Sequence, residues 1–83
     1  MPMYEAIVTI KASDEREARS IYEALAVEAR SQPSSLVRVE VRLEGSLVVL
    51  TFLSKKRSSL RAALNSFFRL LATLENALTS TPP

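Results

Sequence analysis

Leu36–Leu53, LVRVEVRLEGSLVVLTFL, is the stretch whose reading decides the fold. Its first half alternates: Val37, Val39, Val41 and Leu43 share one face, and Arg38, Glu40 and Arg42 share the other. That period of two predicts a half-buried strand over Leu36–Leu43. Glu44-Gly45-Ser46 reads as a hairpin turn, with the only glycine of the chain where a positive φ is needed. Leu47–Leu53 then follows, apolar on both faces except at Thr51. A strand greasy on both sides belongs in the middle of a sheet. The hairpin therefore needs a third strand on its far side.

That strand lies upstream. Tyr4–Lys11 (YEAIVTIK) points Tyr4, Ala6, Val8 and Ile10 one way and Glu5, Ile7, Thr9 and Lys11 the other. Ser13 ahead of Asp14-Glu15 reads as an N-cap followed by acids in a first helical turn. Ala18, Ile21, Tyr22, Leu25 and Ala29 recur at helical spacing through about Arg30, and SQPSS with Pro33 closes that helix. The order β-α-β-β-α follows. It predicts an α+β fold: a three-stranded antiparallel sheet, the third strand between the other two, and two helices on one face. This is a ferredoxin-like arrangement truncated by its last strand. The first strand is then left as an unprotected edge, which tends to pair with something.

The second helix is expected over Ser58–Leu78, with Ser58 as its cap and TSTPP fraying from its end. Leu60, Leu64, Phe67, Leu71, Leu74 and Leu78 form a seam at alternating steps of four and three. Ala63, Leu70 and Ala77 flank it on one side and Phe68 on the other, while Arg61, Asn65, Arg69, Thr73 and Asn76 fill the polar arc. The apolar arc covers about half the circumference, wider than the roughly 100° stripe of an ordinary surface helix. Such a helix has apolar surface for the sheet and for a partner. Phe67 is expected in the core and Phe68 is the exposed anchor.

The 83 residues make one domain, read as 1–83, near the lower size limit for folding alone. A core this small makes oligomerisation an expectation. With no Cys and no His, disulfides, Cys/His zinc sites, thiol catalysis and histidine acid–base chemistry are excluded. The single Asp sits in a helix first turn, and Glu15, Glu17, Glu23 and Glu28 share one helix as a solvated set. One glycine permits neither a phosphate loop nor a dinucleotide fingerprint. No enzyme, cofactor or metal site is therefore expected. MPMYEAIVTIK has no basic region followed by an apolar one, and no apolar run is long enough to span a bilayer. The expectation is a cytoplasmic protein without membrane contact.

Charge is uneven. Residues 1–54 carry six basic and eight acidic groups, net −2; residues 55–83 carry five basic groups and one acid, net +4. Lys55, Lys56, Arg57, Arg61 and Arg69 make up the basic set and could touch phosphates without reading bases. A KH module is excluded for want of a GXXG loop. An RRM is excluded because Phe52 falls on the register opposite the open sheet face. That open face shows Leu47, Val49, Thr51 and Leu53 between Glu5, Ile7, Thr9 and Lys11 on one side and Arg38, Glu40 and Arg42 on the other. An apolar stripe flanked by charges of both signs marks an interface. A two-fold homodimer through Ile7, Leu47, Val49 and Leu53, or along the edge strand that includes Tyr4, satisfies it.

The last helix also carries a family resemblance. LRAALNSFFRLL (Leu60–Leu71) resembles the LRAALNS-aromatic segment of the small Pcc subunit of the KEOPS complex, the CTAG/Pcc family. The similarity extends over most of the chain: Ser13-Asp14-Glu15, Ile21-Tyr22, the Pro/Ser loop, Arg38-Val39-Glu40, the Gly turn and the apolar strand. The basic Lys55-Lys56-Arg57 loop departs from the family pattern. The resemblance implies a non-catalytic, dimerising scaffold of the complex that forms N-threonylcarbamoyl-adenosine beside the anticodon of tRNAs reading A-starting codons. It further implies that the helices pack against those of the catalytic ASKHA-type subunit. Leu60, Arg61, Leu64, Asn65, Phe68 and Leu71 are the residues assigned to that contact. Lys55, Lys56, Arg57 and Arg61 are the candidate tRNA contacts. The competing reading is a stand-alone RNA-phosphate-binding module using the basic loop and the last helix.

Overall fold

The computed structural model of the chain describes residues 3–31 and 36–79, with side chains as far as Leu74. The elements are β1 (Tyr4–Lys11), α1 (Glu15–Ser31), β2 (Val37–Glu44), β3 (Leu47–Ser54) and α2 (Arg57–Thr79). The predicted SQPSS loop (apart from Ser31, which ends α1) and the tail after Thr79 fall outside the described backbone, and the seam residue Leu78, the flanking Ala77 and the polar-arc Asn76 fall outside the described side chains. The sheet order is β1-β3-β2, with both pairings antiparallel. The predicted α+β architecture stands, with β3 inserted between the other two strands.

β3 is central because its sequence fits nowhere else. Val48, Leu50 and Phe52 point into the helical layer and are fully buried. On the opposite face Val49 is only 9% exposed, although no element covers it. Its antiparallel neighbours Thr9 and Arg42 flank it from both sides. β1 and β2, by contrast, alternate half-buried and exposed residues along their whole lengths, as edge strands with one wet face do.

The turn is one residue shorter than the sequence predicts. Glu44 pairs with Leu47, so the loop is Gly45-Ser46 alone, and β2 runs Val37–Glu44 rather than Leu36–Leu43. Gly45 has φ 62° and no non-glycine residue has a positive φ among the described residues. This is the primed-turn geometry with glycine at the first central position, whose twist matches that of the strands it joins. Ala12 N donates to Ser46 O at 2.9 Å, tying the end of β1 to the same turn.

Both helix caps differ from the sequence reading by a residue or two. In α1 the cap is Asp14, not Ser13. Asp14 Oδ1 accepts from Glu17 N at 2.7 Å, and Asp14 O accepts from Ala18 N at 3.1 Å. Glu17 reaches back to Ser13, whose N and Oγ donate to its carboxylate at 3.1 Å each. The pair works as a capping box shifted by one residue. In α2 the first turn begins at Arg57, so Ser58 lies inside the helix instead of capping it. Lys56 O accepts from Leu60 N at 3.1 Å. The polar group that organises this end is Ser54, 2% exposed at the end of β3. Its Oγ accepts from Lys56 N at 3.0 Å, and its proton lies within reach of Leu36 O at 2.8 Å and Lys56 O at 3.0 Å. One hydroxyl thus joins the start of β2, the end of β3 and the start of α2.

The core is Ala18, Ile21 and Leu25 of α1, Val48, Leu50 and Phe52 of β3, and Leu60, Ala63 and Phe67 of α2. Each large side chain buried there contributes roughly 1.5–3 kcal/mol. Phe52 and Phe67 meet edge to face at its centre. The fully buried residues of α2 all lie in its first half, while Leu70, Leu71 and Leu74 are half-buried. Helical rise explains this. Twenty-three residues span about 34 Å, whereas an eight-residue strand spans about 26 Å, so α2 is longer than the sheet it covers.

Candidate functional site

Two surfaces are available for interaction: the outer flank of α2 and the open face of the sheet. On α2, Arg57, Arg61, Asn65 and Phe68 follow one another at steps of four, four and three, one stripe along the helix with Leu64 beside it. Arg57 fixes where this stripe points. Its guanidinium lies over the ring of Tyr4 at 5.7 Å from the centroid, so the stripe lies on the β1 side of the helix. The opposite flank, Ala63 and Leu70, is turned inward, with Ala63 5% exposed. The exposed large apolar side chain of α2 thus stands on the Phe68 flank.

Phe68 is 49% exposed, next to Phe67 at 1%. Adjacent residues on a helix diverge by about 100°, which is why one ring enters the core and the other leaves it. Of the six residues assigned to a partner helix, Arg61, Asn65 and Phe68 are exposed, and Leu64 and Leu71 are half-buried against the core edge. Leu60 is brought inside instead, 9% exposed within the core cluster. The structure therefore groups five of the six and assigns Leu60 to internal packing.

On the sheet, the register aligns the open-face residues in rows across β1, β3 and β2. The rows are Glu5–Leu53–Arg38, Ile7–Thr51–Glu40, Thr9–Val49–Arg42 and Lys11–Leu47–Glu44. Ile7, Leu47, Val49 and Leu53 lie together on this face, and Ile7 is 61% exposed. Tyr4 does not join them. It lies on the helical side, packed against the core beneath Arg57. An aromatic ring on the covered face of an edge strand closes the end of the core, which alternation alone predicted for its position. Among the described residues no aromatic side chain stands on the open face, and Phe52 is fully buried on the other side.

Three of the four cations assigned to tRNA line two separate depressions, and Lys56 lines neither. Lys55 lines a depression with Met3, Leu36, Arg38, Leu53 and Ser54, at the end of the open face. Arg57 and Arg61 line another with Ser58, Ala62 and Asn65 on α2. All four are exposed. Sequence reading missed the stacking of Arg57 on Tyr4; the two residues are distant in sequence, and only the pairing of Tyr4 with Ser54 brings them together. It also missed Ser54, a serine at a strand end that nothing in the periodicity distinguishes.

Among the described residues no group of three or more Asp, Glu, His or Cys side chains could hold a metal ion. No helix among them is long and apolar enough to cross a membrane. The surfaces present an aromatic ring at the end of a stripe of two arginines and an asparagine, and an apolar stripe between two charged columns.

No curated protein matches the chain. Residues 5–79 match a family model described as transcription factor Pcc1. That match runs from the second residue of β1 to the last of α2 and so takes in every element of the fold. The chain belongs to the Pcc1 family.

Proposed function

We propose that the chain is a non-catalytic scaffold subunit of the KEOPS complex, which makes N-threonylcarbamoyl-adenosine in the anticodon loop of tRNAs reading A-starting codons. It pairs with a second copy through its sheet and holds the catalytic ASKHA-type subunit through the outer flank of α2. No cofactor takes part, because the chemistry belongs to the partner. Family membership supports this reading. The observation that carries it is Phe68, half exposed on a helix whose other flank is already committed to the core. Leaving an aromatic ring in water forgoes a burial worth roughly 1.5–3 kcal/mol, which docking against apolar helices would recover.

The test is light scattering on the purified chain with and without the catalytic subunit. Phe68→Asp is expected to abolish the mixed complex while the chain keeps its fold and its self-association. Wild-type affinity in that variant would remove α2 from the interface. The reading as a stand-alone RNA-phosphate binder is the weaker one, since the basic residues are divided between two surfaces instead of lining one groove.

A further inference from the structure

The hydroxyls of the described serines are used differently. Ser13 Oγ donates to the Glu17 carboxylate, Ser20 Oγ to Arg16 O and Ser31 Oγ to Val27 O. Ser54 is buried and both donates and accepts, and Ser46, Ser59 and Ser66 are half-buried. Among the described serines only Ser58 is exposed with a hydroxyl that makes no hydrogen bond. It follows directly on Lys55-Lys56-Arg57, three exposed cations for which docking through Phe68 gives no use.

The surroundings of Ser58 are cationic as well as open. It lines the depression on α2 with Arg57, Arg61, Ala62 and Asn65. Arg61 lies three residues on and shares its face of the helix. From Lys55 to Leu74 the chain carries five cations and no acid, and among the described residues none of the five is in an ion pair. A phosphoserine brings a charge of about −1.5 to −2 and three acceptor oxygens, and arginines without counter-charge hold such a group. The cations ahead of Ser58 serve recognition. An enzyme that selects its serine by charge does so with acidic groups in its substrate cleft, and Lys55, Lys56 and Arg57 are what such groups pair with.

We infer that Ser58 is a phosphorylation site, recognised through Lys55, Lys56 and Arg57 and seated, once modified, against Arg61. In the step, Ser58 Oγ attacks the terminal phosphorus of a nucleoside triphosphate bound to a serine kinase. An Oγ–P bond forms and the bond from that phosphorus to the bridging oxygen breaks. The nucleoside diphosphate leaves, and the hydroxyl proton passes to the kinase's base. The net charge of residues 55–83 then falls from +4 to about +2. The phosphate stands one turn from Arg61 and two from Asn65, at the head of the stripe that ends in Phe68. A partner docked on that stripe has to strip the phosphate of water or give up Arg61 to it, so phosphorylation releases the partner. This release rests on the reading of the flank as the docking surface for the catalytic subunit; the acceptor site does not.

The experiment treats the full chain with ATP and a kinase selective for serines preceded by basic residues. Intact mass, peptide mapping and phosphorus NMR read the product. One phosphate is expected, on Ser58, with none in Ser58→Ala and about tenfold slower transfer in K55A/K56A. Transfer to another residue, no transfer at all, or a rate indifferent to the two lysines overturns the proposal. The phosphate resonance is expected to titrate at lower pH than that of free phosphoserine, and Arg61→Ala to move it back. Identical titrations overturn the seat on Arg61. Circular dichroism checks that each variant is folded, with Arg61→Gln standing in should Arg61→Ala not fold. Light scattering with the catalytic subunit is expected to show affinity about tenfold weaker after phosphorylation, and unchanged affinity overturns the release. An unmodified chain that does not bind the subunit removes the docking reading and the release with it, while the mass and the titration decide the acceptor site by themselves.

Discussion

The rings of Phe52 and Phe67 meet with their centroids 5.3 Å apart and their planes at 81°. In this edge-to-face arrangement the positive rim of one ring meets the negative face of the other, worth about 0.5–1.5 kcal/mol beyond the area buried. The contact joins the second half of the central strand to the middle of the last helix.

Phe67→Ala is accordingly expected to cost about 3–5 kcal/mol, the range for removing a buried aromatic side chain. The neighbouring substitution Phe68→Ala is expected to stay within about 0.5 kcal/mol of wild type, since the ring it removes is half in water already. Urea denaturation followed by circular dichroism measures both. Equal losses at the two positions would contradict the division of the helix into an inner and an outer flank.

Ser54 offers a second comparison. Ser54→Ala leaves Lys56 N without its acceptor in a buried setting, and removes the donor that reaches Leu36 O and Lys56 O. A loss of about 1–3 kcal/mol is expected. Ser58→Ala, at an exposed position inside the first turn of α2, is expected to be near neutral. The opposite ranking in thermal unfolding would restore Ser58 as the cap.

Gly45 is expected to be intolerant for reasons of backbone alone. A side chain there would meet nothing within 4 Å, so no clash opposes it. The cost comes from φ 62°, a conformation that L residues adopt at about 1–2 kcal/mol. Gly45→Ala should therefore lose about that amount, and Gly45→Asn less, because asparagine tolerates the left-handed region. A larger loss for Asn than for Ala in equilibrium unfolding would argue that space, not torsion, is limiting.

Much of this was legible in the sequence, and the reasons are physical. β3 announced its central place because Leu47, Val48, Val49 and Leu50 leave no polar side to face water, and β1 matched its predicted bounds because each of its residues alternates cleanly. The helix caps were read one or two residues away from where they lie. Several adjacent Ser and Asp residues at Ser13-Asp14 and Ser58-Ser59 can each serve as a cap, and the choice between them is made by the geometry of the incoming strand. The free flank of α2 was visible as a surplus of apolar residues, but its direction was not. That direction is set by Arg57 lying over Tyr4, a contact between residues that only the β1–β3 pairing brings near. Leu60 was placed with the partner residues for the same reason: position on a helical wheel tells which residues share a face, and the fold alone tells what that face meets.

The central position of β3 has a consequence for how the chain must come together in time. β1 and β2 are hydrogen-bonded to β3 and not to each other, and the outermost rung of the first pairing joins Tyr4 to Ser54. A chain growing from its N-terminus therefore holds β1 and β2 without a partner until the strand that unites them has been made. The β2–β3 hairpin, closed by two residues, can form at once by local search. β1 must wait for it and then bridge some fifty residues to find its place, a closure whose entropy is lost before its contacts are gained. The seat of greatest order in the finished molecule is thus the last strand to be supplied. Until it arrives, the alternating strand at the N-terminus is a bare edge awaiting a template.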